Sequence, residues 1–158
     1  MGAIVPFDTL GDLGERLRVA GQHVVFTNGH FDLLHVGHLR YLQAARALGD
    51  ALVVGVNDDA VTAARKGPDR PILPEDERAE LLAGLACVDY VIIFHEPTAE
   101  FAVALLRPDV YVKGGDYAPG GAELPEARIV ASYGGETVIL PLTSGRSTSS
   151  IVARMRGA

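Results

Sequence analysis

HVVFTNGHFDLLHVGH, running from His23 to His38, is an apolar run that turns directly into the start of a helix. HVVFT (His23 to Thr27) is near-continuous and β-branched, the pattern of a strand buried on both faces of a parallel sheet. Beyond it Leu39, Leu42, Ala45 and Leu48 recur at helical spacing, and Gly49 follows as a C-terminal stop. ALVVGV (Ala51 to Val56) is again strand-like, so the stretch reads as one βαβ unit.

The same alternation continues outward. YVIIF (Tyr90 to Phe94), DVYV (Asp109 to Val112) and ETVIL (Glu136 to Leu140) are further apolar strands. A helix is predicted from Pro74, with Glu75, Asp76 and Glu77 favouring the positive end of its dipole and Leu81, Leu82 and Leu85 turned inward. Another runs from Thr98 through Phe101, Ala102, Leu105 and Leu106 and ends before Pro108. Segments around Glu126 to Tyr133 and Ser147 to Arg156 complete the series, and residues 1–20 read as an N-terminal helical extension. The expected fold is a single α/β domain over residues 1–158: a doubly wound, Rossmann-like parallel sheet with helices on both faces. Such sheets bind ligands beyond the carboxyl ends of their strands, which directs attention to the loops there.

The junction after the first strand has the chemistry of an anion site. A strand-to-helix turn presents free backbone N–H groups at the positive end of a helix dipole. Gly29 would allow close backbone approach to a phosphate, or a conformation closed to other residues. His35 and His38, three apart on a first helical turn, would share one face. Two imidazoles there suit phosphoryl chemistry, because they donate to oxygens that gain charge in the transition state. The competing readings are a cap plus a packed ring, or a metal pair, which would need a third ligand.

Composition narrows the partners. The 158 residues fit one domain, and one cysteine, Cys87 in an apolar stretch, allows no intramolecular disulfide and is expected to be a buried thiol. The opening residues lack a basic and then apolar leader pattern and no segment approaches a membrane span, so a cytoplasmic protein without membrane contact is expected. Net charge is −6, from 14 basic and 20 acidic side chains, with the basic ones scattered, which argues against nucleic acid as a partner. A negative protein that handles phosphates must concentrate its few cations, and Lys66, Arg70, Lys113 and Arg146 are the candidates.

GHFDLLHVGH (Gly29 to His38) resembles the G-x-F-D-x-x-H-x-G-H motif of the cytidylyltransferase-like nucleotidyltransferases. The resemblance extends over VNDD (Val56 to Asp59), Arg70-Pro71, DERAELLAGLACVDYVI, RPDVYVKGGDY (Arg107 to Tyr117) and GRSTSSI (Gly145 to Ile151), in the order that family has them. Within it, these segments are most similar to the group that adenylylates D-glycero-D-manno-heptose 1-phosphate. The resemblance implies transfer of a nucleoside monophosphate, from ATP ahead of CTP or GTP, to a sugar 1-phosphate with release of pyrophosphate. Mg²⁺ would be required, carried by the triphosphate, and a homodimer is a family-level expectation.

It also implies roles for single residues. His35 and His38 would meet the triphosphate, with Lys66, on a polar breaker-rich loop over Arg65 to Pro71, closing over the phosphates. Phe26, Thr27, Asn28, Gly29 and Phe31 would form the nucleotide floor. Lys113, Gly115, Arg146, Ser147 and Thr148 would serve the phosphates, the last two opening a helix where hydroxyls and backbone N–H groups converge. Asp32, Asn57, Asp59, Arg70 and Asp116 would face the acceptor, although Asn57 and the aspartates after it read equally well as a turn and helix cap. His30 stands where heptose relatives often have cysteine, while His23 and His95 read as structural or exposed. The alternatives are a cytidylyltransferase acting on glycerol 3-phosphate or another alcohol phosphate, and a nucleotide-binding sensor without turnover. An aminoacyl-tRNA synthetase would use a similar motif but needs a longer chain and a basic RNA surface.

Overall fold

The computed structural model describes residues 1–115, 124–141, 148–155 and 157. Its elements are β1 (Ala3–Ile4), α1 (Leu10–Val19), β2 (Val24–Gly29), α2 (Val36–Arg46), β3 (Ala51–Asn57), α3 (Asp59–Lys66), α4 (Glu75–Ala83), β4 (Tyr90–Phe94), α5 (Glu100–Leu106), β5 (Val110–Gly114), α6 (Pro125–Ser132), β6 (Glu136–Leu140) and α7 (Thr148–Met155). The strands pair in the order β1-β4-β3-β2-β5-β6, all parallel. From β2 the chain winds one way to β3 and β4, then crosses back to lay β5 on the other side of β2. The strand order therefore reverses between β2 and β5, and a crevice opens beyond their carboxyl ends.

Both faces of the sheet are covered, which is why the strands are apolar throughout rather than alternating. On one face Val24, Phe26, Val53, Ile92, Phe94 and Tyr111 meet Leu10, Leu13 and Leu17 of α1, Ala102, Val103 and Leu106 of α5 and Val130 of α6. On the other, Val25, Leu52, Val54, Val56, Val91 and Val112 meet Leu42 and Ala45 of α2 and Ala79, Leu82 and Ala83 of α4. Gly14 sets how closely α1 approaches α5: a Cβ there would lie 2.4 Å from the Leu106 carbonyl oxygen.

Several sequence expectations change. Residues 1–20 are not only helical, because Ala3 and Ile4 pair with Tyr90 and Val91 and extend the sheet. The β2 and β5 strands run two residues further than apolarity predicts, because Asn28, Gly29, Lys113 and Gly114 keep pairing with β3 or β6. Arg65 and Lys66 form the last turn of α3 rather than a loop. Leu81 is 48% exposed, since α4 turns Arg78, Ala79, Leu82 and Ala83 inward instead. Cys87 is half-buried, and that burial raises its thiol pKa. No helix among the described residues is long and apolar enough to cross a membrane.

Candidate functional site

The turn after β2 is held from below. Phe31 takes a left-handed backbone conformation, φ 47°, rare for a bulky side chain, and this rather than Gly29 is where the turn departs from ordinary geometry. Gly29 is needed for space, because a Cβ there would meet the Phe31 ring at 3.1 Å. Phe31 is 6% exposed, so its side chain belongs to the core and supports the site from beneath instead of lining it. Its edge faces His38, with ring centroids 5.4 Å apart.

His35 is the N-cap of α2 rather than a residue of its first turn. Its Nδ1 accepts from the Gly37 N–H at 3.1 Å, which leaves the proton of the neutral ring on Nε2 as a donor. His38 stacks on it, with centroids 3.9 Å apart and planes 20° from parallel. Burial lowers the His38 pKa to about 4, helped by His35 and Lys66, and the Leu33 carbonyl opposes the shift. That carbonyl leaves the buried Nδ1 short of a full hydrogen bond. A ring held neutral in this way gains a proton most readily when an anion arrives beside it.

Two lysines act on the histidines of this region, Lys66 on His38 and His30 and Lys113 on His30. Lys66, at the end of α3, is close enough to act on both His38 and His30, and its own pKa is lowered by burial and by Arg70 and Arg78, against Asp32. Lys113, at the carboxyl end of β5, is lowered by burial while Glu126 opposes. Its ammonium donates to Asn28 Oδ1 at 3.0 Å, and the Tyr111 hydroxyl donates to the same oxygen at 2.9 Å. The two strands that flank the switch point are thus tied at their ends. The Thr148 hydroxyl donates to the Leu33 carbonyl at 3.4 Å, which brings the start of α7 against the turn before α2.

Other predicted residues brace the site. Asp32 is buried, its Oδ2 accepting from Arg70 at 2.5 Å and its Oδ1 from the Ile72 N–H at 2.6 Å. Burial alone would raise this carboxyl, but Arg70 and the Ile72 and Leu73 N–H groups outweigh it and hold it below the usual range. The breaker-rich stretch is therefore pinned at Arg70 instead of free. Asp59 accepts from Arg78 at 2.6 Å, and Asp58 caps α3 through the Val61 N–H while holding His95. Phe26 and Thr27 have no exposed side chain, the Thr27 hydroxyl meeting the Tyr41 hydroxyl at 2.7 Å. Gly115 ends the described part of its loop, at φ 138°. Asp116, Arg146 and Ser147 lie outside the described residues, as do the side chains of Ser149 and Ser150.

Three contributors escape sequence reading. Arg78 is fully buried and donates to the carbonyls of Leu73, His30 and Asn57 as well as to Asp59. Its spacing of four from Leu82 marks it as inward on α4. Tyr41, one turn after His38, donates to the Val112 carbonyl at 3.2 Å and links α2 to β5. Glu126 carries no signal at all. Together with Asn28, His30, Asn57, Arg65 and Lys113 it lines a cleft of about 350 Å³, within the range of small-molecule sites. Two larger-scale features follow: stacked imidazoles with a donor at a helix start, and a cleft of mixed polar and apolar lining that bears two cations.

A family model described as cytidylyltransferase-like matches residues 26–152. The chain is 51% identical over 148 residues to the bifunctional protein HldE of Syntrophotalea carbinolica, covering 94% of this chain and 30% of the relative. It is 49% identical over 154 residues to that of Streptomyces coelicolor, covering 98% and 33%. It thus spans about a third of the length of these relatives. Among solved structures it is similar to the lipopolysaccharide core biosynthesis protein of Thermoplasma volcanium, at 32% identity and a TM-score of 0.62, over 78% of this chain and 98% of that one.

Proposed function

The chain belongs to the cytidylyltransferase-like family, and from that premise we propose that it is a nucleotidyltransferase that adenylylates a sugar 1-phosphate, D-glycero-D-manno-heptose 1-phosphate foremost. The observation that carries the reading is the His35–His38 stack at the start of α2, beyond the switch point, with Lys66 acting on it and Lys113 tied to Asn28 at the end of β2. An oxygen of the acceptor phosphate attacks the α-phosphorus of ATP. A new P–O bond forms as the bond from the α-phosphorus to the α,β-bridging oxygen breaks, and pyrophosphate leaves.

The acceptor needs no general base, because a phosphate monoester with a second pKa of about 6 is already mostly dianionic at neutral pH. What the protein supplies is in-line positioning and compensation of charge. His35 donates through Nε2–H, and His38 joins it once the triphosphate draws a proton onto the ring. Lys66 and Lys113, with partly desolvated ammonium groups, are worth more to an incoming anion than exposed lysines. Thr148, Arg146 and Ser147 are assigned to the β- and γ-phosphates on the strength of the family pattern.

Mg²⁺ enters this reading on the triphosphate. It would offset charge on the departing pyrophosphate. A cytoplasmic homodimer completes the proposal.

The test is pyrophosphate release with ATP, CTP, GTP or UTP against heptose 1-phosphate, hexose 1-phosphates and glycerol 3-phosphate, with Mg²⁺. Release that needs both ATP and heptose 1-phosphate is expected. Preference for another pair moves the substrate and keeps the chemistry, and no release with any pair rejects the reading.

A further inference from the structure

Glu126 lies in the first turn of α6, where a carboxylate complements the helix dipole and would ordinarily sit in water. Here it is 4% exposed. Its Oε1 accepts from the Ala99 N–H at 3.0 Å, one of the orphan donors at the start of α5. That bond joins α5 to α6, but it uses one oxygen and needs no charge: a carboxamide would make it without the cost of burying an anion. Oε2 accepts no hydrogen bond from the described residues, and Glu126 is one of the residues that line the cleft.

The surroundings define what would meet it. Lys113 is near enough to feel the carboxylate, and Arg65, Asn57 and Thr98 line the same cleft. Two cations on one side suit a phosphate. A carboxylate oxygen beside an amide and a hydroxyl suits a polyhydroxylated body, because an ionised carboxylate is an acceptor only and hydroxyls are the donors that answer it. We propose that Glu126 is a specificity-determining residue, whose Oε2 accepts hydrogen bonds from ring or side-chain hydroxyls of the acceptor while Lys113 and Arg65 take its phosphate. The inference rests on the function proposed above and names the group that separates a sugar phosphate from a simpler alcohol phosphate.

Glu126→Gln tests it, because the amide oxygen still caps the Ala99 N–H while an NH₂ replaces the acceptor on the cleft side. In steady-state assays of the full chain with ATP and heptose 1-phosphate, KM for the acceptor is expected to rise about 10- to 100-fold. KM for ATP and kcat should stay near the wild-type values, with Tm unchanged. Acceptor analogues lacking single hydroxyls should include one that binds wild-type enzyme as poorly as the natural acceptor binds the variant, and the variant should not distinguish the two. Glu126→Asp, which keeps the charge but withdraws it, is the second variant and should move acceptor KM in the same direction. An unchanged acceptor KM, an equal rise in both KM values, or a fall in kcat alone overturns the assignment. Wild-type enzyme inactive on every sugar 1-phosphate overturns the proposed function and this assignment together, and does so before any variant is made.

Discussion

At the scale of single residues, stacking His35 on His38 at 3.9 Å makes two weak donors into one site. Burial, with His35 stacked beside it, takes His38 to about 4, so near neutral pH the unliganded His38 ring is uncharged. In the proposed function a triphosphate would reverse that balance, because negative charge beside a buried imidazole favours its charged form. Removing His38 should therefore cost rate far more than affinity. For His38→Ala, kcat is expected to fall by about 10²- to 10³-fold, with the nucleotide Kd within about tenfold by calorimetry. Loss of binding with an unchanged rate per bound nucleotide would place the residue in ground-state recognition. The histidines were legible in the sequence because spacing and a preceding strand suffice to find them. That one histidine caps and the other packs was one of several readings the sequence left open, and the structure makes His35 the cap and His38 the packed ring, because both depend on where the helix starts and on Phe31 beneath it.

At the scale of elements, the loops are held by charges that sequence reading assigns elsewhere. Arg78 projects inward from α4 and binds the His30 and Asn57 carbonyls at the ends of β2 and β3. Asp32 does the same for the stretch before α4 through Arg70, Ile72 and Leu73. Both are buried polar groups whose partners are essential, because removing one member leaves the others unpaired. Arg78→Met keeps much of the volume and removes the donors, and should cost about 3–5 kcal/mol in chemical denaturation. A loss under about 1 kcal/mol would mean that water replaces the guanidinium without penalty. DERAELL shows a charged helix start; only helical phase, with Arg78 one turn before Leu82, hints that one of its charges points inward.

Across the whole molecule, stability should depend on pH through groups near the site. His30, bonded to the Thr62 hydroxyl, is lowered to about 4 by burial and by Lys66, Arg65, Arg78 and Lys113, and His38 is lowered similarly. Between about pH 6.5 and 4 the unfolded chain binds more protons than the folded one at both positions, so stability is present above 6.5 and falls as pH drops through that window. Both rings are half-buried and solvent screens part of the effect, leaving a combined loss on the order of 2 kcal/mol. His95 opposes this, because its hydrogen bond with Asp58 raises its pKa, but it is exposed and solvent screens its contribution. Tm should decline steadily from pH 6.5 to 4.5, and His30→Asn should flatten the decline. An identical slope in the variant would remove His30 from this account.

The sequence by itself determined the alternation of strands and helices and the parallel sheet covered on both faces. Those follow from local periodicity and from apolar runs too continuous to leave a face in water. It did not determine which charges face a ligand and which brace the loops. Asp32, Arg70 and Asp59 look like site residues in a linear reading, yet their partners lie 38, 38 and 19 positions away. Glu126 looks like an ordinary acidic helix start, yet α5 packing against α6 buries it at the cleft. Burial and pairing are properties of the assembled sheet and its flanking helices, so only the tertiary structure decided which charges remain for chemistry.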